Sequence, residues 1–284
     1  MLAIIFTILL LDASEMDNPL LKELLAKGLP LPAGPTLRLP PPLMTNALTP
    51  QQQHVVVSKA AGSAVPLDLF LKKTDAAPFA LKINSVESTG KRLAQTVDLY
   101  FIAYGNLDRV VREDVLNQLI GTDAKKGKNI GKAEPLSPAA LEERGIKVLQ
   151  APNLEERYAG LDIFLLERVK ITGITRNVKT YGPGWAELAM QLDPRFDNDK
   201  KDPNSWRSYS PLNETLGPPQ PYTGLGGYAR VTKLAQPAGA LFFELHVALH
   251  EPEAWFGGPN LLRSKLPLVI QENVRNLRRK LARE

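Results

Sequence analysis

Apolar and polar residues alternate along most of the chain beyond residue 78, which is the pattern of half-buried strands. The alternation predicts a hairpin of strands over 79–84 and 97–104, with a turn at Ser88-Thr89-Gly90 between them. Further strands are predicted over 161–175, 185–192, 228–234 and 241–249. Gly173 is a candidate bulge within the longest of them. The pattern therefore indicates a sheet of several antiparallel strands.

Helical spacing of apolar residues appears nearer the two ends of the chain. A cap residue followed by proline predicts helices over 19–27 and 50–61, each closed by a glycine. Shorter helices are expected over 67–73, 107–120 and 138–145, and a long one over 264–283. The apolar stripe of the long helix comprises Leu266, Ile270, Val274, Leu277 and Leu281, spaced 4, 4, 3 and 4. Such a face must dock on another apolar face.

The order of these elements predicts an α+β fold, in which a curved antiparallel sheet packs on a long C-terminal helix behind a helical, proline-rich N-terminal region. Seven prolines fall between Pro30 and Pro50, and they force an extended backbone that cannot pair regularly. We therefore divide the chain into a short helix with a proline-rich strap over 14–48 and a single α+β domain over 49–284.

An uncharged apolar run, LAIIFTILLL, occupies Leu2 to Leu11. Ten residues are too few to span a bilayer, but they match the hydrophobic region of a signal peptide. Small residues follow near Ala13, whereas a basic segment before the run is missing. We predict a signal peptide over 1–13 and export to the periplasm or the extracellular space. The alternative is a buried first strand or helix.

The residue inventory removes several chemistries. The chain has no cysteine, so disulfides, zinc–thiolate sites and thiol catalysis are excluded. Imidazole chemistry is confined to three histidines, His54, His246 and His250. No cofactor and no metal are predicted.

The net charge of +5 is concentrated in the last helix, where seven basic residues from Arg263 onward oppose two acidic ones. Cations at a helix C-terminus complement the helix dipole and form a solvated face. The alternative is a patch for anionic surfaces of the cell envelope, formed by Arg275, Arg278, Arg279, Lys280 and Arg283. No aromatic residue follows Phe256, so nucleic acid is not an expected partner. The sequence leaves the oligomeric state open.

Three motifs lack the context that their chemistry needs. Residues 224–229 carry the letters of a dinucleotide-binding loop, but they lead into a predicted strand instead of opening a helix. Four aspartates over 193–202 are interspersed with Lys and Arg, which favours a charged loop over a calcium site. Ser88 and Lys91 have the spacing of a penicillin-recognising serine without its two companion motifs.

Polar residues alternate with the apolar ones in the strand over 241–249. Glu244, His246 and His250 are expected on one face, where the two histidines lie about 13 Å apart, too far to share a metal. A polar sheet face is favoured over a metal site or acid–base pair. Carboxylates also occur in predicted strands at Asp98, Glu167, Glu187 and Glu244, and the sequence leaves open whether any two converge.

Three segments of the last quarter of the chain resemble the START-like helix-grip fold: GGYARVTKL, ALFFELHVALHEPEAWFGGPN and SKLPLVIQENVRNLRRKL. The order of elements from residue 97 onward agrees with that fold. The resemblance implies a lipid or other apolar ligand held between sheet and helix. In other respects the chain looks like an exported bacterial protein.

Two classes of function follow. The first is an exported, non-catalytic binding or scaffold protein of the cell envelope, with an apolar ligand between the sheet and the C-terminal helix. The walls of its ligand site are expected from Phe101, Phe164, Leu188, Phe243 and Ile270, unless these residues fill a solid core. The second is a hydrolase that uses two converging carboxylates.

Overall fold

A computed structural model describes residues 18–32, 36–88, 90–112, 134–253, 255–256 and 261–283. The predicted signal peptide, the second part of the helix predicted over 107–120 and Thr89 of the hairpin turn lie outside the described residues.

The described helices are α1 (Pro19–Lys27), α2 (Pro50–Ala61), α3 (Leu67–Phe70), α4 (Leu107–Arg112), α5 (Pro138–Glu142) and α6 (Leu261–Leu281). The strands are β1 (Ala80–Ser88), β2 (Lys91–Tyr104), β3 (Gln150–Ala151), β4 (Leu154–Leu165), β5 (Val169–Gly182), β6 (Trp185–Leu192), β7 (Ser205–Ser210), β8 (Thr215–Leu216), β9 (Gln220–Pro221), β10 (Leu225–Lys233) and β11 (Ala240–His250). Most predicted elements are thus confirmed within a few residues of their expected bounds.

The strands form one large antiparallel sheet with the order β1-β2-β11-β10-β6-β5-β4-β3, and β7 pairs with β5, β8 and β9 beside this path. The central strands come from distant parts of the chain, because β2 pairs with β11 and β10 pairs with β6. The predicted α+β class, with a curved antiparallel sheet and a C-terminal helix, is confirmed.

The segment predicted as a single strand over 161–175 is instead divided between β4 and β5. Leu166 and Glu167 form the turn between them with φ angles of 51° and 55°. Non-glycine residues adopt such angles rarely, and the turn contains neither Gly nor Pro, so the sequence carries no mark of it. Gly173 lies where β5 changes partner from β7 to β6.

One face of the sheet, called the helix face below, is covered by α4 and α6. The apolar stripe predicted for the last helix packs there: Ile270, Val274, Leu277 and Leu281 are buried against β2, β6, β10 and β11. The expected docking of this helix on the sheet is therefore confirmed.

The opposite face, called the strap face, is covered by α1, the proline-rich strap over 36–48, α2 and α3. Asn18 links α1 to the sheet, since its side chain accepts a hydrogen bond from Leu21 N (3.0 Å) and donates one to the carbonyl oxygen of Val178 (2.8 Å). Leucines from α1 and the strap pack on β5, β6 and β10, while α2 and α3 pack on β2 and β11.

Arg278 of α6 is buried, with 4% of its surface exposed, and the expectation that it belongs to an exposed basic patch was wrong. Its guanidinium donates hydrogen bonds to the carbonyl oxygens of Ile102 (2.8 Å), Asp75 (3.3 Å), Pro78 (3.1 Å) and Ala77. Burial lowers the pKa of Arg278 to about 10, so the side chain remains a cation at neutral pH. It fixes the C-terminal half of α6 to the sheet.

Candidate functional site

Four of the five residues predicted to line a ligand site meet on the helix face. Phe101 and Phe243 are cross-strand neighbours, and their rings stack with centroids 4.6 Å apart. Leu188 of β6 and Ile270 of α6 belong to the same cluster. Phe101 is 0% exposed, Phe243 1%, Leu188 3% and Ile270 9%, so this part of the interface is tightly filled.

Phe164 lies apart from the other four. Its ring makes an edge-to-face contact with Tyr209, with centroids 5.0 Å apart, and the Lys170 ammonium lies 5.3 Å from the ring centroid. The reason is strand parity: Ile163 and Leu165, on either side of Phe164 in β4, contribute to a cluster on the helix face, so Phe164 points the other way.

Burial along the apolar stripe of α6 is interrupted at Leu266, between buried Leu262 and buried Ile270. Val247 of β11 is half-buried and packs against two separate buried clusters of the helix face. Leu266, also half-buried, lies one turn after Leu262 of the second cluster and one turn before Ile270 of the first. The interface between sheet and helix therefore retains some exposed apolar surface at Val247 and Leu266, where the two clusters adjoin.

The cross-strand row through Val247 has no side chain at its centre. Val247 is paired with Gly227 of β10, Gly227 with Met190 of β6, and Met190 with Asn177 of β5. A Cβ atom at Gly227 would lie 2.3 Å from the carbonyl oxygen of His246, so only glycine fits this position. The β11 backbone and the Val247 side chain, whose Cγ2 would lie 3.2 Å from that Cβ, occupy the space beside Gly227, and the row has no side chain between Val247 and Met190.

We call this region the Gly227 trough. It comprises Met190 and Val247 of the row together with Leu188 and Leu266 of the adjoining cluster, and Asn177 lies at the end of the row on β5. The Asn177 amide donates hydrogen bonds to the carbonyl oxygen (3.2 Å) and the hydroxyl (2.9 Å) of Thr175, which leaves its own oxygen as an acceptor. A mostly apolar lining with a few polar groups is typical of small-molecule sites.

Most of the trough is not predictable from the sequence. Gly227 falls just before the strand predicted over 228–234, whereas the structure places it inside β10, a central strand. Val247 and Leu266 did lie on the predicted apolar faces, but nothing in the sequence distinguished them from fully buried neighbours. A glycine flanked by strand residues was the one available indication.

The strap face carries two rows of polar side chains across the central strands. In the first row Tyr100, Glu244, Arg230 and Glu187 are successive cross-strand neighbours. In the second row Asp98, His246 and Tyr228 are neighbours in the same way. Polar side chains of β2, β11, β10 and β6 therefore point into the interior of the protein, where the strap covers them.

The first row and Tyr228 hold the strap. The Glu244 carboxylate accepts hydrogen bonds from the backbone N–H groups of Leu43 (2.7 Å) and Met44 (2.9 Å). Tyr228 donates from its hydroxyl to the carbonyl oxygen of Pro40 at 2.7 Å, and Arg230 donates to the Asn46 side chain. These contacts fix an extended segment that cannot pair as a strand.

The charged groups of the strap face are also paired with one another. Arg230 Nη1 lies 2.9 Å from a Glu187 oxygen, with both side chains buried, and His246 Nδ1 lies 2.7 Å from Asp98. Burial raises the pKa of Glu244, against the opposing effect of its two backbone donors. Burial likewise raises the pKa of Tyr228.

The polar face predicted around Glu244 and His246 is thus present, but protein and not water covers it. Of the four carboxylates named from the sequence, Asp98, Glu187 and Glu244 lie on the strap face, and Glu167 lies in the β4–β5 turn. The first three are engaged by His246, Arg230 and the strap, so none of them is placed to attack a substrate from an open cleft. Within the described ranges, no group of three His, Asp or Glu side chains could hold a metal ion.

Three of the four aspartates over 193–202 pair with arginines, and the fourth, Asp197, accepts a hydrogen bond from the Asn204 side chain (2.8 Å). Arg144 Nε donates to Asp199 at 2.8 Å and its Nη2 to Asp202 at 3.0 Å, while Arg195 lies against Asp193. The hydrogen bond from Arg144 lowers the pKa of Asp199. These contacts fit the charged loop that the interspersed Lys and Arg residues indicated.

No protein-family model and no curated protein sequence matches the chain. Among solved structures, the chain is similar to a putative uncharacterized protein from Rhizobium leguminosarum, with a TM-score of 0.32 and 9% identity over 66% of this chain and 97% of the other. It is also similar to human STARD10, with a TM-score of 0.29 and 6% identity over 68% and 72%. Both similarities are faint. No described helix combines the length and the apolar composition needed to cross a membrane.

Proposed function

We propose that the protein is a non-catalytic binding protein of the cell envelope that holds an apolar molecule in the Gly227 trough. The observation that carries the proposal is the incomplete burial of Val247, which is paired with Gly227, and of Leu266 of α6. Elsewhere along α6 the same interface is closed by buried apolar residues.

The lining indicates the chemical class of the ligand. Leu188, Met190, Val247 and Leu266 offer aliphatic and thioether surface, which favours a lipid chain or another aliphatic molecule. Asn177 at the edge provides an acceptor for one hydroxyl or amide group of that molecule. Export, proposed from the first thirteen residues, would place the protein where such molecules are carried between membranes.

The attachment of α6 to the sheet indicates where a ligand would enter the Gly227 trough. Arg278 and the stripe from Ile270 to Leu281 hold the C-terminal half of the helix on the sheet. Leu266 belongs to the half of the helix that has fewer buried contacts. The ligand would therefore enter beneath the N-terminal half, which separates from the sheet at lower cost.

A fluorescent fatty acid tests the proposal. Parinaric acid, which becomes fluorescent in apolar surroundings, should bind the full chain saturably. Leu266→Trp fills the trough from the helix side and should weaken this binding at least tenfold. Leu268→Trp, two residues away on the exposed face of the same helix, is the matched control and should bind like the native protein.

Native mass spectrometry of the purified protein should also detect a retained lipid, lost in the Leu266→Trp variant. Absence of saturable binding, or equal binding by both tryptophan variants with unchanged melting temperatures, would contradict the proposal.

A further inference from the structure

The side of α6 that faces away from the sheet carries its own pattern. Leu261, Lys265, Leu268, Arg275 and Arg279 follow one another at intervals of four, three, seven and four residues, which places them along one line of the helix. We call this line the outward stripe. Glu272 also lies on it. We infer that the outward stripe docks the protein on an anionic lipid bilayer.

Charge is the first argument. Lys265, Arg279 and Arg283 are exposed, and Arg275 is half-exposed. These four basic side chains lie along the outward stripe and at its end, whereas Arg278 is buried on the other side of the helix. They are opposed by Glu272 and by Asp75, which lies 2.6 Å from Arg279. Each basic residue near an anionic membrane adds an attraction that salt weakens.

Exposed apolar surface is the second argument. Leu268 is 66% exposed in the middle of the outward stripe. The opposite face of α6 is the one that docks on the sheet, so Leu268 takes no part in that docking. Leu261 continues the same line toward the first turn and is half-buried. Leucines interspersed with lysine and arginine are typical of helices that lie on a membrane surface.

The length of α6 agrees with binding to a flat membrane surface. α6 has 21 residues and is thus about 30 Å long, and its outward stripe runs the length of the helix. A nucleic acid would be attracted by the same charge but is usually also held by stacking on aromatic side chains, and the outward stripe contains none. The combination of leucines and cations therefore favours lipid.

Vesicle co-sedimentation of the full chain tests the inference. Binding is expected to vesicles of phosphatidylcholine with one quarter phosphatidylglycerol, to weaken at 0.5 M salt, and to be at least tenfold weaker to phosphatidylcholine alone. Lys265→Gln with Arg275→Gln should reduce binding at least tenfold, and Leu268→Asn severalfold.

The controls remove equivalent groups elsewhere on the surface. Lys59→Gln with Arg168→Gln deletes two exposed cations away from α6, and Leu212→Asn removes a leucine that is 94% exposed in the segment after β7. Both should bind like the native protein. No binding of the native chain to the anionic vesicles, or equal loss in the control variants, would overturn the inference. Tighter binding to duplex DNA than to these vesicles at the same salt would overturn it in favour of a nucleic-acid site. The inference does not rest on the proposed ligand, because parinaric acid binding is measured without vesicles.

Discussion

Arg278 illustrates how a single residue can have a role that its type conceals. It occupies a helix position beside the apolar stripe and directs its guanidinium at backbone carbonyl groups of the segment 75–78 and of β2. Those carbonyls have no sequence pattern of their own. An arginine near a helix C-terminus is exposed in most proteins, so the sequence pointed to the surface.

The burial of Arg278 leads to a first prediction. Arg278→Ala removes the donors to four carbonyl groups and leaves a cavity, which should cost about 2–4 kcal/mol of the free energy of unfolding. The melting temperature should then fall by roughly 5–10 °C. Arg279→Ala is the neighbouring control, and because that side chain is exposed, its melting temperature should hardly change. Similar, small shifts in the two variants would contradict the role assigned to Arg278.

Glu244 gives a second prediction, which concerns pH. Its pKa is raised above the ordinary value of 4.5, so the folded protein holds that proton more tightly than the unfolded chain. The stability that follows from this is present at low pH and is lost as the pH rises through the raised pKa. Glutamine at this position does not titrate. Relative to Glu244→Gln, the native protein should therefore lose stability as the pH is raised above about 4.5.

Urea unfolding of the two proteins at pH 4, 6 and 8 measures this difference. A native protein that gains stability over Glu244→Gln with rising pH would show that the hydrogen bonds from Leu43 and Met44 outweigh the cost of burying the charge.

At the scale of elements, the sequence predicted helices and strands well where local chemistry marks their ends. α1 and α2 begin at a capping side chain followed by proline and end at a glycine, as expected. The β4–β5 turn was missed because Leu166 and Glu167 adopt turn angles without a residue that favours them. The Gly227 trough was not predicted for a related reason. The cross-strand row through Gly227 depends on which strands pair, and the sequence of a single strand does not show that.

The docking of α6 provides a third prediction. Leu277→Asp places a charge against the sheet and should cost several kcal/mol, since Leu277 is buried in a cluster of apolar side chains. Leu268→Asp changes the same residue type on the exposed face and should leave the urea midpoint nearly unchanged. An equal effect of the two substitutions would mean that α6 is not part of the core.

For the whole molecule, the order of elements was sufficient to predict the α+β class and the packing of the C-terminal helix on the sheet. It was not sufficient to place the strap. Residues 36–48 lie across the strap face because Glu244, Arg230 and Tyr228 come together from β10 and β11. The convergence of Asp98, Glu187 and Glu244 likewise depends on pairing between distant strands.

A fourth prediction concerns the N-terminus of the mature protein. If LAIIFTILLL is the hydrophobic region of a signal peptide, protein recovered from the source organism should begin at or near Ser14. Intact-mass measurement of the envelope or extracellular fraction decides this. Recovery of a chain that still begins at Met1 from the cytosolic fraction would contradict export.

The pairing of β2 with β11 also determines when the molecule can fold. Asp98 and His246 are in contact although 148 residues separate them, so one edge of β2 remains open until β11 has been synthesised. Sheets built from such distant strands fold slowly, because a long loop must close before its contacts form. During that interval a chaperone or a translocation channel can engage the chain while it is still extended. If the chain is exported as proposed, late closure of the sheet would keep the nascent protein competent for passage across a membrane.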